Sequence, residues 1–420
     1  MESQEIKLLP LRTEMKSWKW AEWSLVALLA VSMIFNKLMP MVMVLALLSL
    51  ARQHHDWKTG FNRLTRLRSV YLWMVFFFLA HVVGLLFTAN YTFALTDIGM
   101  KLSFLLFPVF FAFSNADFKS GSAIRVFSWS LVLTAVMCFI YSGYRFLFFE
   151  SSAPLTYFTE SYFSFQMHRS YFATYLIIGV LYFTHQALWE RESRFLNILL
   201  GLFLLMSIFL TFSKAGILIL LLTLFILVIV WIVQRRKLVV GLISLALVVA
   251  GLGLAIRSSY FAERFRYMIE EFSADKKIDV TSVESNDARI LMWETAVELF
   301  LENPAVGVGT GDVKDVLQER NYRKGYTGVA EKNLNAHNQY LNTAVQLGLL
   351  GLLPLLAMFF VPAFQAFRKR NLLVFLSLLS LILTMLSESF LETQAGIMPV
   401  ALLLCLLGNL KRESGTIRPA

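Results

Sequence analysis

Apolar runs long enough to cross a bilayer recur along this chain, separated by short polar stretches. A hydrocarbon core about 30 Å thick takes about 20 helical residues, fewer where a helix is short or paired. Twelve runs qualify. Trp20 to Phe35 and Leu38 to Ala51 are short and form a hairpin about Asn36-Lys37. Val70 to Thr88, Ile98 to Ser114, Ala123 to Phe148, Tyr171 to Trp189, Phe195 to Phe212, Ala215 to Val233 and Leu238 to Ile256 follow. Gln339 to Phe364, Leu372 to Ser387 and Ala395 to Leu410 complete the set. The pattern predicts an all-α integral membrane protein of about twelve transmembrane helices.

One polar stretch is much longer than the others and divides the chain. Residues 1–256 hold the first nine predicted spans, 257–338 form a helical extramembrane loop domain, and 339–420 hold the last three spans and a tail. Within the loop, Ser259 to Phe272 places Tyr260, Phe261, Phe265, Met268, Ile269 and Phe272 at helical spacing. Asp275 to Ser285 is polar. Asn286 or Asp287 caps a second helix that runs to about Glu302, where Asn303-Pro304 stops it. Gly307-Val308-Gly309-Thr310-Gly311 reads as a turn, and Asp312 to Asn321 as another short helix. Together these elements predict a helical cap over one mouth of the bundle.

Charge fixes the expected orientation. With the N-terminus inside, Arg52, Arg63, Arg66 and Arg68 fall on the cytoplasmic side, as do Lys119 and Arg125. So do Arg191, Arg194, Arg235-Arg236-Lys237, Arg368-Lys369-Arg370 and Lys411-Arg412. The short outer stretches Ala89 to Asp97 and Glu388 to Gln394 carry no Lys or Arg. This is the positive-inside pattern. One wrong span would invert it downstream, so it favours an even count, both termini in the cytoplasm and the 257–338 loop outside.

Composition agrees. The 420 residues are 57% hydrophobic and 16% charged, with mean hydropathy +0.64, against about 25% charged in a soluble domain. The net charge of +10 comes from short loops between apolar runs, so it sets topology and lipid contact and does not indicate nucleic acid. Cys138 and Cys405 lie inside apolar runs, which disfavours a disulfide or metal site. The N-terminus is polar through Lys19 and shows no cleavable signal peptide.

Candidate chemistry gathers on the outer side. His337 stands where the loop domain meets the tenth run, followed by Asn338. Imidazole accepts a proton near neutral pH, with an ordinary pKa of about 6.5, which suits a general base. Arg289 falls in the first turn of the second loop helix. Lys214 lies between two spans with almost no loop, and His168-Arg169 precedes the sixth span. Each cation has a plainer role: Lys214 reaching outer headgroups, Arg289 pairing with Glu294 or a lipid phosphate, Arg169 anchoring an interface. Three cations and a histidine on one face suit a phosphate or pyrophosphate. Glu388 and Glu392 lie on the same side, to orient His337, to pair with an arginine, or to sit in a solvated turn. The Gly307-x-Gly309-x-Gly311 stretch is no nucleotide signature, since no strand precedes it and no Gly-Lys-Ser/Thr follows. His54-His55 lacks metal-ligand companions, and no carboxylate cluster calls for a divalent metal.

The segment from about Thr211 to Gly351 resembles the O-antigen ligase-like membrane proteins, a group that includes O-antigen polymerases and bacterial protein O-oligosaccharyltransferases. The resemblance rests on His337-Asn338-x-x-Leu341 with Gly348, on Arg289-x-x-x-Trp293-x-x-Ala296, and on Asn303-Pro304-x-x-Gly307-x-Gly309. Ser213-Lys214 stands where the family shows Ser-Arg, which keeps the charge but loses the bidentate fork. The resemblance implies a GT-C-like fold in a bacterial inner membrane with a periplasmic active site. It implies inverting transfer of a preassembled glycan from undecaprenyl diphosphate to a lipid A-core sugar or other hydroxyl acceptor. His337 would be the base and Arg289, Lys214 and Arg169 the pyrophosphate ligands, supported by His168, Asn338, Glu388 and Glu392, with no metal or cofactor. Polymerase and protein O-oligosaccharyltransferase activities stay open within the family. A polytopic lipid-glycan transporter is the contrasting reading, weakened by the lack of paired halves with Gly/Pro-interrupted spans.

Overall fold

The computed structural model describes residues 57–113, 120–149, 154–165, 167–190, 193–235, 279–283 and 286–408, with five helical positions between 40 and 48. The runs Trp20 to Phe35 and Leu238 to Ile256, the Ser259 to Phe272 stretch and His54-His55 lie outside the described residues, as does most of Leu38 to Ala51.

The described α-helices of five or more residues are α1 (Trp57–Thr65), α2 (Val70–Gly84), α3 (Tyr91–Lys101), α4 (Ser103–Phe113), α5 (Ser120–Phe148), α6 (Arg169–Trp189), α7 (Arg194–Leu210) and α8 (Lys214–Arg235). After them come α9 (Asn286–Glu302), α10 (Val313–Arg323), α11 (Thr327–Glu331), α12 (Gln339–Arg368), α13 (Leu372–Thr384) and α14 (Gln394–Gly408). Among the described residues no strand is present. Six segments among the described residues are long and apolar enough to cross a membrane, and three shorter apolar helices accompany them. These nine coincide with nine of the twelve predicted runs.

Polar residues at the run boundaries start the helices. Asn90 accepts from Phe93 N, Asn338 from Tyr340 N and Leu341 N, and Asn371 from Val374 N. Each satisfies amides that a helix start otherwise leaves bare.

One boundary differs from expectation. Ala89 to Asp97 is not a short loop, because α3 begins at Tyr91, seven residues before the predicted start. Asp97 and Lys101 look like interruptions in a hydropathy window, yet they pair one helical turn apart and are wholly buried. Their mutual neutralisation lets the helix carry them inside.

Helix α6 is the centre of the bundle, packed on α5, α7, α8 and α13. It is buried nearly all round, including Phe172, Tyr175 and Phe183. Lipid tails are as apolar as leucine, so packing and interhelical hydrogen bonds hold such a bundle. Thr174 and Thr384 share a 2.8 Å bond between α6 and α13, of a kind that contributes on average about 0.6 kcal/mol in a membrane. Tyr171 donates to Ser389 O, and Tyr175 to Ala395 O and Gly396 O, fixing the α13–α14 connection on α6.

Helix α12 is broken at Gly348, where φ is 58° and ψ −151°. The break frees carbonyls before it and amides after it, and the loop 304–309 takes up both. Val308 N and Gly309 N donate to Val345 O and Gln346 O, while Leu349 N and Leu350 N donate to Pro304 O and Ala305 O. This reciprocal pairing satisfies Val345 O, Gln346 O, Leu349 N and Leu350 N across the break. It also requires close approach: a Cβ on Gly307 would lie 2.5 Å from Gln346 C. The glycine-rich stretch is thus a seat for α12, with the amides of residues 307–310 donating to backbone carbonyls and that of Gly311 to Thr88 Oγ1.

The cap helices α9 and α10 are joined by ion pairs. Lys324 reaches Glu294 at 2.8 Å and Glu298 at 2.7 Å, and Arg320 reaches Glu302 at 2.8 Å. Helix α9 in turn packs on α12.

Candidate active site

His337 is held on both sides by its neighbours. Ala336 is buried and its carbonyl accepts from Trp293 Nε1 of α9 at 3.0 Å. Asn338 caps α12, and the His337 amide donates to Asn335 Oδ1 at 3.0 Å. Between these ties His337 takes a left-handed backbone with φ 43°, a conformation that costs a non-glycine residue about 1–2 kcal/mol. The ring ends half-buried, 31% exposed, with Nδ1 3.7 Å from Glu388 Oε2.

Glu388 lies in the turn after α13 and is only 3% exposed, so it is not part of a solvated turn. Its other oxygen, Oε1, accepts from Arg289 Nη2 at 3.3 Å. Arg289 therefore pairs with Glu388 and not with Glu294, which Lys324 has taken. Burial pushes the Glu388 carboxyl up, but His337, His168 and Arg289 outweigh it and hold the group below the ordinary carboxylate range. Three elements, α9, the start of α12 and the turn after α13, thus converge on one carboxylate.

His168 stands at the head of α6 and packs on the Tyr171 ring. Burial lowers its pKa, the nearby Glu388 opposing and Arg169, His337 and Arg289 adding to the fall. It is a neutral ring at neutral pH within electrostatic range of the cluster. Arg169 begins α6 and pairs with Glu160 at 3.7 Å. Lys214 begins α8 and is exposed. Ser213 Oγ bonds Ser170 Oγ at 3.3 Å, which puts the starts of α8 and α6 side by side at the end of the bundle that carries His337.

Glu392 departs from its predicted place beside His337. Its carboxylate meets Lys101 Nζ at 3.4 Å and accepts from Gln339 Nε2 at 2.9 Å. It belongs to a buried cluster with Asp97, Lys101, Gln339 and Gln346 that sequence reasoning did not single out. The i,i+4 spacing of Asp97 and Lys101 at the edge of an apolar run was the available signal.

The arrangement suits proton abstraction beside an anionic group. With a proton on Nδ1 facing Glu388, the lone pair is on Nε2, and a carboxylate stabilises the ring once it is doubly protonated. Arg289 pairs with Glu388 and Arg169 with Glu160, and Lys214 places a further cationic side chain at the start of α8. A hollow of about 360 Å³ lined by Ala89, Asn90, Asp312, Asp315, Val316 and Glu319 includes none of these residues. Its three carboxylates repel a diphosphate.

Among known proteins, an uncharacterized protein of Haemophilus influenzae is 28% identical over 179 residues, covering 39% of this chain and 43% of that protein. The chain thus spans less than half of that relative's length. Residues 199–356 match the O-antigen ligase family model. That segment contains Lys214, Arg289, His337, Asn338 and Gly348, and leaves His168, Arg169, Glu388 and Glu392 outside it. The chain is thus a helical, membrane-type bundle whose residues 199–356 are similar to the O-antigen ligase family.

Proposed function

We propose that the protein is an inverting glycosyltransferase of the O-antigen ligase type, acting at the periplasmic face of the bacterial inner membrane. It moves a preassembled glycan from undecaprenyl diphosphate to a sugar hydroxyl of lipid A-core. The observation that carries this reading is the convergence of His337 and Arg289, both within the family-matched segment, on the buried Glu388.

In this reading the acceptor hydroxyl gives its proton to His337 as its oxygen attacks the anomeric carbon. The bond from that carbon to the diphosphate oxygen breaks on the opposite face, and the configuration inverts. Arg289, Lys214 and Arg169 meet the negative charge that develops on the leaving diphosphate, which needs no proton to depart. Glu388 balances the imidazolium. Metal is not required, because fixed cations do the neutralising.

The test uses purified protein in nanodiscs with a polyprenyl-diphosphate-linked glycan and lipid A-core, in the presence of EDTA. Wild type is expected to transfer glycan, and His337→Ala to lose about 10²- to 10⁴-fold in kcat, the contribution typical of a general base. Donor consumption only with another glycan or a protein as acceptor replaces ligase by polymerase or protein O-oligosaccharyltransferase. No consumption with any acceptor overturns the transferase reading in favour of a transporter.

A further inference from the structure

Gln339 follows His337 by two residues and is fully buried. Four hydrogen bonds hold its amide and side chain. Its backbone amide donates to Met385 O at 2.8 Å, and its Oε1 accepts from Leu391 N at 2.6 Å. Its Nε2 donates to Glu392 Oε1 at 2.9 Å and to Thr343 Oγ1 at 3.1 Å. Met385 and Leu391 bracket Glu388. One side chain and its amide therefore fasten both ends of the turn that carries Glu388 to the start of the helix that follows His337.

A second layer holds this contact in place. Glu392 receives Lys101, which is bonded to Asp97. Asp97 also accepts from Gln346 Nε2 at 3.1 Å, two turns further along α12. An unpaired carboxylate at such depth is costly, and Lys101 supplies the partner that keeps Glu392 beside Gln339.

We propose that Gln339 is a positioning residue that fixes the Met385–Glu392 turn on α12 and so holds the Glu388 carboxylate against His337. The kinetic consequence rests on His337 being the base of the proposed transfer; the geometric consequence does not.

The experiment compares wild type, Gln339→Met and His337→Asn as full chains in nanodiscs. Infrared titration with carboxyl-labelled glutamate follows the Glu388 band, assigned by its loss in Glu388→Gln. Gln339→Met is expected to raise the pH at which Glu388 protonates, as His337→Asn does, and the combined change to add little to either. In the transfer assay Gln339→Met is expected to lower kcat about 10²-fold, the effect of a misplacement near 1 Å, while the donor KM stays within about twofold. An unmoved Glu388 titration, or effects of the two changes that simply add, overturns the proposal. Wild type that transfers nothing while the titration moves as expected removes the ligase reading and leaves the positioning role. If Gln339→Met fails to fold, Gln339→Asn, which keeps the amide but falls one methylene short, is read the same way.

Discussion

Glu388 is stable in its buried site only while it is charged and its two partners reach it. The sign of its pH dependence follows. Its folded-state value lies below the ordinary 4.5. The stability it contributes is therefore fully present above pH 4.5 and is lost as pH falls through the lower folded value. Thermal unfolding followed from pH 7 to pH 3 should show wild type losing more stability below pH 4.5 than Glu388→Gln, and the difference curve should be flat above it. Glu294 and Glu302 are also held low by Lys324 and Arg320, so both proteins lose some stability in acid. A difference curve with no feature below pH 4.5 would remove the Arg289–Glu388–His337 cluster. His337 and Glu388 were legible in the sequence because each stands at the edge of an apolar run, and Arg289 because it falls in the first turn of the second loop helix. Glu388 orienting His337 or pairing with an arginine stood among the alternatives, but the choice was not legible, since Arg289 and Glu388 are 99 positions apart and Glu294 was the nearer carboxylate. Glu392 shows the same limit: only the packing of α3 against α14, with the Gln346–Asp97 bond to α12, gives it to Lys101 instead of His337.

At the scale of the element, apolar length and polar caps predicted helices well, and departures came where polar groups neutralise each other inside. α3 begins early because Asp97 and Lys101 cancel in a place where hydropathy counts both as exclusions. The break in α12 was legible only as a glycine in a motif, since its role depends on a loop 40 residues upstream. It yields a prediction. Gly348→Ala puts a Cβ about 2.5 Å from Ala305 C at a backbone conformation that only glycine adopts easily. The expected cost is at least about 1–3 kcal/mol, because the seat is backbone and cannot swing aside. Unfolding in detergent should begin at lower denaturant for Gly348→Ala, and proteolysis should open the cap before the bundle. A variant as stable as wild type would mean that α12 closes its break without the 304–309 loop.

At the scale of the whole molecule, the charge pattern and the helix ends make one joint prediction about sidedness. The starts of α6, α8 and α12 and the end of α13 meet at the end of the bundle that holds His337. The opposite ends carry Arg63, Arg66, Arg68, Arg194 and Arg368-Lys369-Arg370. Moving such a set of cations across a bilayer is unfavourable, and the positive-inside rule keeps it in the cytoplasm, so the His337 end should face the periplasm. Asn62→Cys on α1 and Glu331→Cys on the cap are exposed positions at the two ends. The native Cys138 and Cys405 are buried and should stay silent. In intact cells with a permeabilised outer membrane, an impermeant maleimide should label Glu331→Cys at once and Asn62→Cys only after the inner membrane is opened. The reverse order would place His337 in the cytoplasm, out of reach of a glycan already carried across on its lipid. It would remove the periplasmic transfer reading even if every contact around Glu388 stood as described.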